Sequence, residues 1–409
     1  MTYSSYWLTN VRLETGYQYN NETITGTDTS IFHLLVENGK FARIVPQETV
    51  ISDDLIKYDA QKSLLLPTFK EMHIHLDKTY YGGPWKAVTP AKSIFDRFAE
   101  EKELLPQLLP TAKDRAEKIL SLLIGFGSTH VRTHVNIDPV VGLKNLEATL
   151  DALQTFSGKI SHEIVAFPQH GLLHSGVESL VREALKHGAT HVGGVDPHTV
   201  DGNIEKSLNT IIEMAVDTNS EIDIHIHDRD HLGLFTMNRL ADLTEQARLH
   251  NKVTVSHAFG FAGIPEAKAA ELAARFTQLG IEVTSTVPIG KLIMPIPLLK
   301  EKGVQVSLGT DSLTDHWSPF GNGDNLEKAG RLAELYGYAD EWSLSQSLKF
   351  ITGGKTPLDK QGKQVWPVVG DDADMNLVKA SCSAEAVARR ATREAVFYKG
   401  TLLSGSLSH

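Results

Sequence analysis

The feature that most constrains the fold is an alternation of apolar, strand-like runs with amphipathic helical segments, which begins at Leu64. The strand candidates are Leu64–His75, Thr129–Asn136, Glu163–Gln169, His191–Asp196, Ile222–Asp228, Val253–His257, Ile281–Val287 and Val304–Asp311. Helical periodicity separates them, for example at Asn203–Thr218 and Glu266–Leu279. Strands that alternate with helices form a parallel sheet. Eight such units over about 250 residues predict an α/β fold, a (β/α)8 TIM barrel.

The two ends of the chain are rich in strand-forming residues and contain no long helical period. Tyr6–Leu13 and Phe32–Val36 precede the barrel region, and Met375–Lys379 and Ala395–Leu403 follow it. Each piece is too short to form a core alone. We therefore predict that residues 1–62 and 356–409 are the two halves of one small β-sandwich, with the barrel at 63–355. A separate C-terminal hairpin is the alternative.

Charge and cysteine content exclude several classes of partner and compartment. The chain has 40 Lys and Arg against 50 Asp and Glu, a net charge of −10, which opposes binding to nucleic acid or to an anionic membrane. Its single cysteine, Cys382, cannot form an intrachain disulfide, which fits a reducing compartment. The sequence shows no signal peptide and no apolar run of about 18 residues. These features predict a cytoplasmic protein.

Potential metal ligands stand at the carboxyl ends of four predicted strands. The clusters are His73-Ile74-His75, His225-Ile226-His227-Asp228, Ser256-His257 and Gly309-Thr310-Asp311. A closed barrel brings these strand ends to one rim, where TIM-barrel active sites are built. Imidazoles and a carboxylate suit Zn²⁺ or Fe²⁺. The plainer alternative, polar residues on surface strands, requires the same coincidence four times.

Several motifs carry a family resemblance. They are Pro67–Lys78 (PTFKEMHIHLDK), Val131–Val135 (VRTHV), Ile164–Gly171 (IVAFPQHG), Val192–Pro197 (VGGVDP), Asp223–Asp228 (DIHIHD), Ser256-His257-Ala258 and Thr310–Asp324 (TDSLTDHWSPFGNGD). With these motifs the chain resembles the amidohydrolase superfamily, in the group of cytosine deaminase and N-isopropylammelide amidohydrolase. The resemblance covers about residues 30–400. It implies a hydrolase of carbon–nitrogen bonds other than peptide bonds, a small heterocyclic substrate and a homo-oligomer.

The resemblance also implies the ligand set of a single divalent metal. It places His73, His75, His225 and Asp311 on the metal. Two-metal members of the superfamily carry a bridging carboxylated lysine at the end of the fourth strand, which here ends in Gly194-Val195-Asp196 without a lysine. We therefore expect one metal ion per chain, with Zn²⁺ favoured and Fe²⁺ as the alternative.

Within the superfamily the chain is most similar to the s-triazine branch. The shared features are Lys78, Asp196, the pair His225 and His227, and the run Trp317–Asp324. That branch replaces an exocyclic amino substituent with oxygen. Pyrimidines and pterins stay open as alternative substrates, because relatives of this branch also act on them.

The expected reaction is attack on a ring carbon by hydroxide formed at the metal, which lowers the pKa of water from ~15.7 towards ~7. Asp311 would take the water proton, and His257 would stabilise the oxygen developing on the ring carbon. A neighbouring ring nitrogen then needs a proton. His227 or Asp228 would supply it, and Lys78 would assist.

Three further residues are candidates for substrate contact. Gln169 and Asp196 end neighbouring predicted strands and could hydrogen-bond the heterocycle, while Trp317 could provide an apolar wall. Each also has an ordinary structural explanation. Gln169 and Asp196 could be polar groups satisfied inside the barrel, and Trp317 could belong to the core.

Alternatives remain for Lys78 and for the function as a whole. Lys78 could instead form a salt bridge with Asp77 or Glu71. The chain could be a cyclic amide hydrolase of dihydroorotase type, although the missing bridging lysine argues against it. It could also be a non-catalytic metal-binding barrel, although a complete ligand set that includes Asp311 argues against that.

Overall fold

The computed structural model describes residues 5–290 and 292–408. Within these residues the helices and strands are, in chain order, β1 (Tyr6–Asn20), β2 (Thr23–Glu37), β3 (Lys40–Pro46), β4 (Ile56–Asp59), β5 (Leu64–Pro67), β6 (Phe69–Ile74), α1 (Ile94–Leu108), α2 (Ala112–Gly125), β7 (Ser128–Asn136), α3 (Lys144–Thr155), β8 (Ser161–Phe167), α4 (Glu178–Lys186), β9 (His191–Val195), α5 (Ile204–Thr218), β10 (Glu221–His225), α6 (Asp230–Gln246), β11 (Val253–Ser256), α7 (Glu266–Leu279), β12 (Glu282–Ser285), α8 (Ile296–Glu301), β13 (Val306–Leu308), α9 (Asn325–Tyr336), α10 (Glu341–Gln346), β14 (Met375–Val378), α11 (Ser383–Arg389), β15 (Arg393–Tyr398) and β16 (Thr401–Gly405). Single helical turns occur at Leu109–Thr111, Phe259–Phe261 and Ser347–Phe350.

Strands β6 to β13 form one parallel sheet in sequential order. The sheet closes where the chain after β13 meets the end of β6. There the Asp311 N–H donates to the His73 carbonyl at 2.7 Å, and the His75 N–H donates to the Asp311 carbonyl at 3.3 Å. Helices separate successive strands and cover the outside. The predicted (β/α)8 barrel is therefore confirmed, and its carboxyl ends form one rim.

Helix α5 shows how local sequence sets the barrel helices. It begins after Asn203, whose side chain accepts the Lys206 N–H as an N-cap. Its buried side chains Leu208, Ile211 and Ala215 repeat at helical spacing and face the strands. Burying each aliphatic side chain of this kind contributes about 1.5–3 kcal/mol. In the part of the chain that the structure describes, we find no helix of the length and apolarity needed to cross a bilayer.

The second sheet joins the two ends of the chain. Its order is β16-β15-β14-β5-β1-β2-β3, with β4 beside β1. The predicted pairing of the terminal segments in one β-structure is confirmed, and its core contains Leu8, Phe41, Trp366 and Phe397. The C-terminal hairpin considered as the alternative is part of this sheet, as β15 and β16. The domain limits at residues 62 and 355 stay a prediction.

The predicted strand Leu64–His75 is divided between the two sheets. Leu64–Pro67 pairs with β1 and β14, whereas Phe69–Ile74 pairs with β7. The residues are apolar on both sides of Thr68, so the hydrophobic pattern alone could not locate the crossing. Asn376 fixes the crossing because its side-chain amide donates to the carbonyls of Pro67 and Gly127.

Candidate active site

The strand ends bring the predicted metal ligands together at the rim of the barrel. His75 follows β6, His225 ends β10, and Asp311 follows β13. The Asp311 Oδ1 lies 3.5 Å from His73 Nε2 and 3.4 Å from His75 Nε2. Ring nitrogens of His73, His225 and His257 form a second, overlapping group within 4.8 Å of one another. Four stretches, of which the first and the last are more than 200 residues apart, thus converge on one point.

Hydrogen bonds fix which nitrogen of His73 and of His75 faces this point. Ser256 Oγ donates to Asp223 Oδ1 at 2.6 Å, so its oxygen accepts the N–H of His73 Nδ1 at 2.8 Å. The Nδ1 of His75 donates to the carbonyl of His134 at 3.0 Å. Each ring therefore presents the lone pair of its Nε2 to the centre. Partners of this kind orient metal-binding imidazoles.

The residues at this centre fit a divalent cation. His225 has both ring nitrogens buried, and neither has a hydrogen-bond partner among residues 5–290 and 292–408. Burial lowers the pKa of His75 to about 3 and also lowers the pKa of His225, so both imidazoles are neutral, as ligands must be. Donor separations of 3.4–3.5 Å are close to the ~3.3 Å expected around tetrahedral zinc with bonds near ~2.0 Å.

The position of Asp311 depends on close packing against β6. The buried carboxylate of Glu71 accepts the backbone N–H groups of His73 and Thr310 at 3.0 and 2.9 Å, which ties the two chain segments together. A Cβ at Gly309 would lie 2.5 Å from the His73 Cβ, so only glycine permits this approach. Burial alone would raise the pKa of Asp311, but the surrounding imidazoles hold it well below its usual range.

His227 and His257 stand beside the metal-ligand group. Their ring centroids are 4.4 Å apart, and His257 Nε2 lies 4.0 Å from Asp311 Oδ2. The Nδ1 of His227 is 2.9 Å from Asp196 Oδ2, while Asp196 Oδ1 accepts the backbone N–H groups of His227 and Asp228. Burial opposes protonation of His227, but the Asp196 carboxylate outweighs it and raises the pKa of this imidazole.

A cavity of about 60 Å³ opens beside the centre. Its lining comprises His75, Lys78, Gln169, His225, His227, His257, Asp311, Ser312 and Trp317. Three of the predicted site residues, His73, Asp196 and Asp228, do not belong to this lining. The Asp196 carboxylate is hydrogen-bonded to His227, and the Asp228 carboxylate accepts a hydrogen bond from the Thr199 hydroxyl. Both carboxylates therefore hold other groups in place, and the structure gives neither a direct face on the cavity.

Lys78 is buried among oxygen atoms at the edge of the cavity. Its ammonium donates to Gln169 Oε1 at 2.6 Å and lies 3.4 Å from Glu101 Oε1 and 3.5 Å from Asn136 Oδ1. The salt-bridge partner is thus Glu101 on α1. Of the two carboxylates considered from the sequence, Asp77 bonds the Asn136 backbone, and Glu71 bonds the segment around Thr310 as described above.

Sequence reasoning assigned no positioning role to Glu71, Glu101, Asp223 or Ser256, and no role to Ser312, which lines the cavity. Asp223 stands two residues before His225 on β10, so the two-residue period of a strand could have indicated that both face inward. Glu101 gave no such signal, because it lies on a helix outside every strand-end motif. His134, which stands in the motif Val131–Val135, packs against His73 with ring centroids 4.0 Å apart.

The fold and this cluster define the class: a (β/α)8 barrel with a histidine and aspartate cluster suited to a metal at its carboxyl rim. The profile of the Amidohydrolase family matches residues 102–408. The chain belongs to this family, so the predicted resemblance and the predicted enzyme class, a hydrolase of carbon–nitrogen bonds other than peptide bonds, are confirmed.

Individual relatives extend over nearly the whole chain. The chain is 46% identical over 406 residues to the uncharacterized protein YahJ of Escherichia coli (strain K12), covering 98% of this chain and 88% of that protein. It is 28% identical to N-isopropylammelide isopropyl amidohydrolase of Pseudomonas sp. (strain ADP), and the match covers 87% of this chain and 89% of that protein. The crystal structure of N-isopropylammelide isopropylaminohydrolase from Burkholderia multivorans superposes with a TM-score of 0.85 at 28% identity, covering 98% of both chains.

Proposed function

We propose that this protein hydrolyses an exocyclic amino or alkylamino group from a nitrogen heterocycle of the s-triazine, pyrimidine or pterin type. The observation that carries the proposal is the convergence of His73, His75, His225 and Asp311 beside a cavity lined by hydrogen-bonding side chains. Similarity to N-isopropylammelide isopropyl amidohydrolase favours the s-triazine type. The products are the oxo-heterocycle and ammonia or an alkylamine.

The proposed cofactor is one divalent cation held by His73, His75, His225 and Asp311, with Zn²⁺ favoured and Fe²⁺ as the alternative. When bound, such a cation activates water and polarises the reacting bond. A deeper group of His73, His134 and Asp223 is unsuited to a second cation, because the Arg132 guanidinium lies 3.0 Å from Asp223 Oδ2. Strand β9 also ends without a lysine. Both observations support one ion.

Asp311 is the proposed proton carrier of the attacking water. Its side chain is partly exposed to the cavity and lies within 4.0 Å of His257 Nε2. It accepts the water proton and returns it to the departing nitrogen, so the amine leaves in a neutral or protonated form. His257 is placed to hydrogen-bond the oxygen that forms on the ring carbon.

His227 is the proposed partner of the ring nitrogen. Asp196 holds its Nδ1–H, so Nε2 is the atom that faces the cavity and exchanges a proton with the heterocycle. Asp228 is bonded to Thr199 instead, and Lys78 is bonded to three protein oxygens. Between the three candidates for this proton transfer, the contacts therefore favour His227.

Space for a substituent lies next to the proposed reacting position. A cavity of about 450 Å³ shares Asp311 and Ser312 with the smaller one, and Val287, Ile289 and Phe320 give it apolar walls. An amine that takes its proton from Asp311 would direct its alkyl group into this space. This arrangement supports alkylamino leaving groups as well as ammonia.

The test is a substrate panel with metal analysis. Ammelide, N-alkylammelides, cytosine, isocytosine, guanine and pterins would be assayed for release of ammonia or amine after loading with Zn²⁺ or Fe²⁺. We expect about one equivalent of metal, and His73→Ala should lose both metal and turnover while staying folded. His187→Ala, which removes an exposed histidine on the outer surface, should retain both.

Three outcomes would contradict the proposal. Ring opening without amine release would indicate a cyclic amide hydrolase, and full metal loading without any turnover would indicate a non-catalytic barrel. Equal turnover by the wild type and His73→Ala would remove the metal centre from the reaction. A homo-oligomer, a cytoplasmic location and the absence of nucleic-acid binding stay predictions, and sedimentation analysis would test the first.

A further inference from the structure

We propose that Glu101, which no motif includes, is the positioning residue that sets Lys78, Gln169 and Trp317 against the substrate. The inference rests on the proposed function, because it concerns the same cavity. Glu101 is completely buried on α1, a helix that follows β6 and precedes the second barrel strand. It does not line the cavity itself. Its effect on catalysis must therefore pass through its neighbours.

The Glu101 carboxylate accepts hydrogen bonds from residues at four separate strand ends. Oε1 lies 2.8 Å from Trp317 Nε1, 2.8 Å from His316 Nε2 and 3.4 Å from Lys78 Nζ. Oε2 lies 2.9 Å from His170 Nε2 and 3.2 Å from Asn136 Nδ2. These donors follow or end β6, β7, β8 and β13. The Glu101 side chain thus connects the segments that follow these four strands, which the strand pairing alone does not connect.

Lys78 transmits this positioning to Gln169. An ammonium group can only donate, so the bond of 2.6 Å fixes the side-chain oxygen of Gln169 towards Lys78. The amide NH₂ of Gln169 must then turn away, and Gln169 belongs to the cavity lining. The site therefore offers a hydrogen-bond donor to the heterocycle at this position. Without the carboxylate that anchors Lys78, the orientation of this donor is lost.

Trp317 is held in the same way from the other side of the cavity. Its indole N–H donates to Glu101, and the Lys78 ammonium lies 5.4 Å from the indole ring centroid. The Lys78 charge, buried between this ring and that of Phe167, needs a counter-charge nearby. Glu101 provides it, and Lys78 in turn holds the pKa of Glu101 well below its usual range despite burial.

The variant Glu101→Gln tests the inference because it keeps the shape and removes the charge. An amide has one acceptor oxygen, so it cannot satisfy all five donors. We expect kcat/KM for the best substrate of the panel to fall about 100-fold, the scale of a small misplacement of binding groups. Metal content should stay unchanged, since no proposed ligand touches Glu101. Glu103→Gln, an exposed change on the same helix, is the matched control.

A double-mutant cycle separates positioning from general stability. If Glu101 acts through Lys78, then Glu101→Gln combined with Lys78→Met should be no worse than Lys78→Met alone by more than about threefold. Full activity of Glu101→Gln would overturn the inference, and losses that multiply would overturn its step through Lys78 and Gln169. Should Glu101→Gln not fold, Glu101→Asp enters the same cycle, because it keeps the charge but is too short for all five donors.

A measurement without substrate keeps this inference distinct from the proposed function. Labelling tryptophan with the heavy nitrogen isotope gives NMR signals for the five indole N–H groups, and Trp317→Phe identifies the signal of Trp317. In Glu101→Gln that signal should move, whereas Glu103→Gln should leave it in place. An unmoved Trp317 signal would overturn the inference even if every compound of the panel were hydrolysed. A moved signal would support it even if none were.

Discussion

The variant Glu14→Gln should change the pH dependence of stability by an amount that follows from the structure. Glu14 on β1 is buried, and its Oε1 accepts the N–H and the hydroxyl of Ser383, 369 residues away. Burial, with a smaller contribution from the nearby carboxylate of Glu341, raises the pKa of Glu14 from 4.5 to about 7, although the hydrogen bonds from Ser383 lower it. Tyr17 and Cys382 also face this group.

The sign follows from proton counting. Between pH 4.5 and 7 the folded state keeps the Glu14 proton that the unfolded state has released, so the free energy of unfolding falls as pH rises. Each pH unit in this window is worth about 1.4 kcal/mol. From pH 4 to pH 8 the wild type should therefore lose about 3 kcal/mol relative to Glu14→Gln, because an amide does not ionise.

The assay is equilibrium urea unfolding of both proteins at a series of pH values. The difference between the two proteins cancels the titrating groups that do not interact with Glu14. The cost of placing an amide NH₂ where Glu14 Oε2 has no partner in the described part of the chain is the same at every pH and leaves the trend unchanged. Glu22→Gln, an exposed change at the turn after β1, should show no such trend. Parallel stability curves for the wild type and Glu14→Gln would refute the reasoning.

Three further predictions concern the candidate site. Ser256→Ala removes the hydroxyl that links His73 to Asp223 by hydrogen bonds, so metal affinity should fall about 10–100-fold. Competition with a chromophoric chelator measures this affinity, and an unchanged value would contradict the assigned orientation of the His73 ring. Gly309→Ala forces its Cβ against His73, so the melting temperature and the metal content should both drop, and wild-type values would contradict the close packing. Asp196→Asn should lower kcat at least about 100-fold with normal metal content, because the amide no longer fixes His227; retained kcat would exclude this positioning.

Much of the fold was predictable because strand and helix patterns are local. The eight strand candidates of the barrel all appear, with ends shifted by a few residues; for example, the predicted Val304–Asp311 is β13 at Val306–Leu308. The division of Leu64–His75 between two sheets was not predictable, because the residues directly before and after Thr68 are both apolar. The predicted strand Ala395–Leu403 likewise contains a tight turn at Gly400, whose φ is +71°.

The convergence of the four clusters was also predictable, because each stands at the end of a strand and these ends share one rim of a closed barrel. Four local motifs thus indicated a single place. The ligand set chosen from them stays a prediction. The contacts that orient these ligands were not predictable. Ser256 meets His73 across 183 residues, and Glu101 meets Trp317 across 216 residues. Such pairs have no shared period or motif in the sequence.

The sequence by itself determined the barrel, the joining of the two chain ends and the residue types at the rim, since these follow from hydrophobic period, chain length and side-chain chemistry. Only the tertiary structure decided which ring nitrogen of His73 faces the centre, that Asp196 holds His227, and that Lys78 is paired with Glu101. The physical reason is that hydrogen-bond direction and burial depend on atoms brought together by packing, and a linear pattern contains no information about those distances.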